Sequence, residues 1–408
     1  MENSSRVLEG IRVLDIGTFV FGPAAATVLS DFGAEVIKVE NPRGGDPYRY
    51  LVELPPMPAC EQNYCWILDG RNKRSLALDL KQPDGREVLL DLVRVSDVFV
   101  TNHHPSVLAD LGLRFEDLAP LNERLVYAHA AGYGTEGDEA EKPGFDMTAW
   151  WARSGLMDAV RGAGDSPPSL STAGMGDHPS AMSLFGAIML ALYRRERTGR
   201  GGLASTSLMA NGAWSNSCLL QGMLCGSEPF DRVDPQTPPN ALVNPYASGD
   251  GRWFVLVLVQ EARDWEPLCR AIGRPELVSD PRFAEQAARR KHAPELAGIL
   301  RSVFGTRPLD EWRRVLDAHD VTFGIVARLE DLPNDPALEA NGVIVPIADP
   351  RANGTRTISS PIELSGEQKV PASLAPELGE HSDEVLGSLL SYSSEQIERL
   401  RAAGIVTG

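Results

Sequence analysis

Asp177 stands in the stretch Gly174-Met175-Gly176-Asp177-His178-Pro179. Glycines at 174 and 176 let another molecule approach the backbone closely, and Pro179 suits the first turn of a helix. A carboxylate at such a helix start has two uses: it caps the helix, or it is a nucleophile delivered on a glycine-rich loop. The free N–H groups and the helix dipole favour an anion there by about 0.3–1 kcal/mol. A second group of interest is Arg71-Asn72-Lys73-Arg74, which concentrates positive charge in a chain of formal net charge −17. An anionic ligand needs such a place, although charges of this kind also form solvated faces. Trp150 and Trp151 are neighbours on an expected helix. Adjacent helical positions diverge, so both pack in a core or one of them faces a cleft.

The overall charge argues against general nucleic-acid or anionic-membrane binding. Five cysteines, an odd number without a Cys-x-x-Cys pair, read as reduced thiols rather than a disulfide framework. Histidines are scattered, with His103-His104 the one adjacent pair, so no metal site is expected. There is no apolar run of membrane-spanning length, and residues 1–6 lack the features of a signal peptide. A cytoplasmic protein is the default expectation.

The elements that must position these residues follow from apolar runs and breakers. Strands are expected at 11–17, 34–40, 74–80, 97–102 and 125–130, with helices at 22–33 and 83–95 between them. Alternating strands and helices make a doubly wound α/β domain with a parallel sheet. No Gly-x-Gly-x-x-Gly is present, so the dinucleotide fingerprint is not met, yet a nucleotide still fits at the strand ends. A helix is expected over 179–195, with Met182, Phe185, Met189 and Leu192 on one face. Prolines after Cys225 mark a change of character, and 226–334 reads as a smaller α+β domain with a strand at 253–259. Late strands are expected at 343–347 and 358–362, and a terminal helix at 393–403. The large domain therefore comprises 1–225 plus 335–408.

With these residues in view, the chain resembles the class III (CaiB/BaiF-type) CoA-transferases. The resemblance rests on Leu-Glu-Gly-Ile-Arg-Val-Leu-Asp at 8–15, Phe-Gly-Ala-Glu-Val-Ile-Lys-Val-Glu at 32–40, Asn72-Lys73-Arg74-Ser75, Gly176-Asp177 and Thr198-Gly199-Arg200-Gly201. It spans nearly the whole chain. Residues 143–146, 150–155 and 176–178 look most like a branch acting on aryl-acrylates or 2-hydroxy acids. The resemblance implies a Rossmann-like large domain, a small domain, a homodimer of interlocked rings, and a final segment returning to the large domain. It implies acyl-CoA and a carboxylic acid as substrates, no metal, and Asp177 as nucleophile.

A carboxylate that attacks a thioester gives a mixed anhydride and frees CoA thiolate, so exchange needs no other energy source. The site must then stabilise an oxyanion and exclude water, and the N–H groups of Gly174 and Gly176 are candidate donors. For CoA the resemblance points to the 16–21 loop with Phe19 and Val20, to Asn41 and Arg43 after Glu40, to Asn72, Lys73 and Arg74, to Asn102 and His103, and to Phe145 and Asp146. Lys73 would meet phosphate as a mobile point charge. Asp146 either positions CoA or substrate or caps the helix of Trp150 and Trp151. Phe19, Phe21, Trp150 and Trp151 are candidates for an apolar acyl pocket.

Departures narrow the substrate. Val20 replaces a glutamine of oxalate-specific relatives, Asp110 replaces an arginine, and their glycine-run loop is not recognisable near 236–250, so oxalate and formate are disfavoured. The α-methylacyl-CoA racemases share the fold. They place a histidine before the aspartate matching Asp146, where this chain has Phe145, which carries no proton. An acyl-CoA binding protein with a decayed site is the non-catalytic alternative, and the intact Gly176-Asp177-His178 speaks against it.

Overall fold

Val13, Leu14, Val36, Ile37, Leu76, Val98 and Phe99 are apolar residues in short runs, and each run becomes a strand buried on both faces. The computed structural model describes residues 6–229 and 232–408. Two compact units are present: Met1–Asp158 with Ser169–Ser227 and Ala337–Gly408, and Ala159–Pro168 with Glu228–Pro336.

In the first unit, β1 (Arg12–Asp15), β2 (Glu35–Glu40), β3 (Lys73–Leu78), β4 (Val98–Thr101), β5 (Val126–Ala131) and β6 (Gly202–Ser207) lie in the order β3-β2-β1-β4-β5-β6. All these pairs are parallel, with Leu14 opposite Ile37 on one side and Phe99 on the other. A short strand at Val406–Thr407 adds antiparallel to β3 and covers that edge. The order reverses between β1 and β4, and open sheets of this kind bind ligands beyond the strand ends at that switch point.

Every residue of α1 (Phe21–Asp31) is buried. With the long helix Asp177–Thr198 it contributes to one core layer, which holds Val13, Ala25, Leu29, Val100, Leu184 and Ile188. The other layer holds Leu14, Ile37, Leu76, Leu89 and Phe99 under α3 (Pro83–Arg94), together with Val385 of the final segment. That segment is tied in by specific bonds: Trp66 Nε1 donates to Pro376 O (2.9 Å) and Gly379 N to Ser75 Oγ (2.9 Å).

Several element ends differ from expectation. The long helix begins at Asp177 rather than Pro179 and runs to Thr198, where Gly199 closes it at φ 75°. β4 begins at Val98 rather than Asp97, although the Asp97 backbone still reaches both neighbours, its N–H donating to Arg12 O and its carbonyl accepting Val126 N–H, each at 2.9 Å. Residues Asp146–Ala152 form a π-helix instead of an α-helix. The late strand stops at Ile358, and Ser360 N–H turns away to donate to Asp31.

The second unit holds an antiparallel sheet of β7 (Val243–Ala247), β8 (Trp253–Val257) and β9 (Phe323–Ile325) with helices Glu261–Ala271, Ala293–Phe304 and Leu309–Asp317. β8 ends at Val257, two residues before the expected end. Phe304 joins its aromatic core, with ring centroids 5.2 Å from Tyr246, 4.9 Å from Phe254 and 5.1 Å from Trp312. Among the described residues, no helix is long and apolar enough to cross a membrane.

Candidate active site

Gly174 adopts φ 74°, a left-handed conformation that glycine takes without strain. The turn it makes brings Gly176 to the helix cap and Asp177 to the first helical position. Ser180 closes the first turn by donating its N–H and hydroxyl to Gly176 O. No side chain caps this helix. Among the described residues the Asp177 carboxylate accepts no hydrogen bond, so the capping role does not apply to it. Burial, followed by the neighbouring charge of Asp146 and a smaller contribution from Asp69, pushes its pKa up to about 7 against the opposing charge of His178.

His178 presents both ring nitrogens to acceptors. Nδ1 lies 3.1 Å from Gly174 O and Nε2 3.3 Å from Asp69 Oδ2. Burial works against the imidazolium, but the bond to Asp69 and its charge outweigh it and lift the pKa to about 9. Asp69 closes α2 (Tyr64–Gly70) together with Gly70, and its Oδ2 also accepts from Tyr48 Oη at 2.7 Å. Burial opposes the Asp69 charge, yet His178 and Tyr48 hold its pKa below the usual range. Sequence reasoning missed both Asp69 and Tyr48; an aspartate before a helix-ending glycine and a tyrosine after a proline carry no distinguishing signal.

At the sheet's switch point, side chains hold backbone groups of three successive residues, Gly17 to Phe19, in the loop after β1. Asn102 Oδ1 accepts Thr18 N–H (2.8 Å), and Asn102 Nδ2 donates to Thr18 O (2.7 Å). Asp15 accepts Gly17 N–H (3.1 Å), Lys38 donates to Gly17 O, and Asp46 accepts Phe19 N–H (2.9 Å). This fixes Phe19 at φ 59°, a strained position for an aromatic residue. The Phe19 ring meets Phe145 edge-on with centroids 6.1 Å apart, and Phe145 is 58% exposed. Asp46 also accepts Tyr48 N–H (2.9 Å), so one set of bonds runs from Asn102 through Thr18, Phe19, Asp46, Tyr48 and Asp69 to His178.

The remaining expected contacts divide into open and occupied groups. Asn41 and Arg43 follow β2; both are exposed, and the Arg43 side chain is 76% accessible, 3.6 Å from Asp79. His103 is half-buried and burial lowers its pKa, with the Lys38 charge adding to this. Val20 is buried in the core. Lys73 requires correction: its ammonium is buried, pairs with Asp15 at 2.9 Å and donates to Pro23 O at 2.8 Å, so it is no mobile charge. Arg74 is held by Glu35 and Glu384, in the amino-terminal half of β3 away from the strand ends. Asn72 exchanges hydrogen bonds with Ser373, anchoring the final segment.

Two further expectations are corrected. The Gly176 N–H donates to Asp146 Oδ2 at 3.3 Å, so it is not free for an oxyanion. The Gly174 N–H has no partner among the described residues and remains a candidate donor. Phe21, Trp150 and Trp151 are core residues, each no more than 6% exposed. An apolar cavity of about 500 Å³ instead adjoins His178 and Pro179, walled by Ala24, Val28, Ala181, Met182, Val343 and Ile358.

Residues 8–382 match the sequence profile of CoA-transferase family III. The chain is 30% identical over 402 residues to the (R)-2-hydroxy-4-methylpentanoate CoA-transferase of Clostridioides difficile, covering 98% of this chain and 99% of that one. It is 29% identical over 406 residues to the cinnamoyl-CoA:phenyllactate CoA-transferase of Clostridium sporogenes, covering 98% and 97%. Its fold superposes on the crystal structure of a CAIB/BAIF family protein from Brucella suis with a TM-score of 0.83 at 26% identity, covering 95% of this chain and 100% of that chain. An open carboxylate on a glycine loop, a doubly wound sheet and a family match over most of the chain agree: this protein is a transferase-class enzyme belonging to CoA-transferase family III.

Proposed function

We propose that this enzyme moves CoA from an acyl-CoA to a free carboxylic acid through covalent intermediates on Asp177. The observation that carries the reading is the Asp177 carboxylate itself: half-buried, without a hydrogen-bond partner among the described residues, and held at the tip of a turn built by Gly174 and Gly176. Its carboxylate oxygen attacks the acyl carbonyl, breaking the carbon–sulfur bond and giving an aspartyl–acyl anhydride and CoA thiolate. Thiolate attack on the aspartyl carbonyl releases the first acid and leaves an aspartyl–CoA thioester. The acceptor carboxylate attacks the aspartyl thioester carbonyl, displacing CoA thiolate and forming a second mixed anhydride, and the thiolate then attacks the acceptor's carbonyl, giving the new acyl-CoA and free Asp177. Gly174 N–H is the loop's donor for the transient oxyanion.

CoA lies along the strand ends of the large domain, against Phe19, Asn41, Arg43, His103 and Phe145, with Asn102 and Asp46 keeping the Phe19 loop in shape. The cavity beside His178 takes the acyl side chain. Its walls favour an aryl or branched group over a second carboxylate, in keeping with the 2-hydroxy-4-methylpentanoate and phenyllactate named for the two relatives. A homodimer of interlocked rings accounts for the helix Ser217–Leu224, which buries none of its residues while Trp214 and Leu224 stand 79% and 73% exposed. A reducing cytoplasm suits the five free cysteines.

Exchange with an acceptor acid labelled with heavy oxygen tests the reading. One labelled oxygen per turnover enters the Asp177 carboxylate, detectable in its peptide by mass spectrometry. Label confined to substrates and products would contradict attack by Asp177. In the same assay, succinate exchanging faster than 2-hydroxy-4-methylpentanoate or cinnamate would overturn the assignment of the cavity.

A further inference from the structure

We propose that His178, locked between Asp69 and Gly174, is a positioning residue that supplies the fixed counter-charge keeping Asp177 ionised and aimed for attack. This rests on the reading of Asp177 as the nucleophile. A neutral imidazole has one N–H and one lone pair. Here Nδ1 faces a carbonyl oxygen and Nε2 faces a carboxylate oxygen, and neither partner can donate. A lone pair set against either oxygen would be repelled, so the imidazolium alone satisfies both contacts.

The partners are themselves fixed. Asp69 Oδ2 receives the Tyr48 hydroxyl at 2.7 Å, and burial with the Asp69 charge holds that phenol protonated as a donor. Gly174 O receives both the backbone N–H of His178 and the ring. A Cβ on Gly174 would stand 2.9 Å from Nδ1, so the ring packs directly on the glycine. His178 therefore ties the two ends of the segment that carries Asp177.

The electrostatics call for such a group. Asp177 senses Asp146 at the start of the π-helix and Asp69 from α2, two like charges that oppose its ionisation. His178 is the cation acting in the other direction. Behind Asp69, Lys73 from β3 adds a favourable charge, and Cys65 of α2 lies close to Tyr48 and Asp69. During transfer Asp177 gives up its charge to the departing thiolate and regains it on return, while His178 stays charged throughout.

The test is the pH dependence of kcat/KM for wild type, His178→Gln and Asp69→Asn, with ring-proton NMR of His178 in the resting enzyme. Wild type shows an acid limb near 7 and an alkaline limb near 9. His178→Gln loses the alkaline limb and moves the acid limb above 7. Asp69→Asn lowers the alkaline limb from about 9 toward the ordinary histidine value of 6.5, and the NMR titration of the ring follows it. Should His178→Gln fail to fold, Asp69→Asn and the NMR titration decide. A variant that loses rate with both limbs unmoved, or a ring titrating near 6.5 in wild type, overturns the counter-charge. Hydroxylamine trapping on wild type separates the two claims: an Asp177 adduct with unmoved limbs leaves the nucleophile standing, and no adduct removes its basis.

Discussion

Asp146 Oδ2 accepts the N–H of Gly176 at 3.3 Å, and its other oxygen accepts Met147 N–H at 2.7 Å. One carboxylate thus closes the start of the π-helix and pins the residue before Asp177. It also places a negative charge beside the nucleophile, so the same contact that shapes the loop makes Asp177 harder to ionise. Asp146→Asn keeps one acceptor oxygen and removes the charge. The acid limb of kcat/KM moves below about 7, while one weakened bond costs about 1–3 kcal/mol of stability. A limb that stays or rises would count against this account.

Asp177 also links activity to stability. Its folded pKa, about 7, lies above the ordinary 3.8. The native state therefore binds a proton more tightly than the unfolded chain, and this contribution is present below 3.8 and lost as pH rises through about 7. Asp177→Asn removes that loss. The variant melts close to wild type in acid and at a higher temperature at about pH 8, while exchange falls more than about 10³-fold. Calorimetry at both pH values checks the sign, and a variant less stable than wild type at the higher pH would contradict it.

Gly176 has no room for a side chain. A Cβ there would stand 2.6 Å from Cγ and Cδ2 of Trp150, whose ring is buried and stacked on Trp151 at 5.8 Å. Gly176→Ala forces the tryptophan pair to move and costs about 1–3 kcal/mol, seen as a lower Tm together with a lost rate. An unchanged Tm would show that the loop yields instead.

The two cations assigned alike from sequence behave differently. Lys73→Met leaves the buried Asp15 with the Gly17 N–H and a more distant cation, Lys38 at 3.7 Å, and unfolding free energy falls by about 3 kcal/mol or more. Arg43→Ala, at an exposed side chain, changes stability by less than about 0.5 kcal/mol and raises KM for acyl-CoA about 2–5-fold. Denaturant unfolding and steady-state kinetics on both variants distinguish the roles, and matching behaviour of the two would contradict them.

The parallel sheet and the glycine loop were legible because their signals are local: apolar runs bounded by breakers, and glycines beside a proline. The burial of Lys73 was not, because its partner Asp15 lies 58 residues away. For Trp150 and Trp151 the sequence leaves open whether both pack in a core or one faces a cleft; a π-helix brings their rings nearly parallel, at 12°, and both are buried. Asp69 and Tyr48 gain meaning only when folding sets them against His178. Val20 reads as a loop residue and instead fills the core before α1.

The most direct measurement is hydroxylamine trapping after brief incubation with an acyl-CoA, followed by peptide mass spectrometry, with Asp177→Ala as control and heavy-water exchange run in parallel. A hydroxamate on Asp177, absent in the control and formed without α-proton exchange, is the predicted result. Exchange of the α-proton with no adduct on Asp177 would contradict covalent transfer and assign the site to proton abstraction instead.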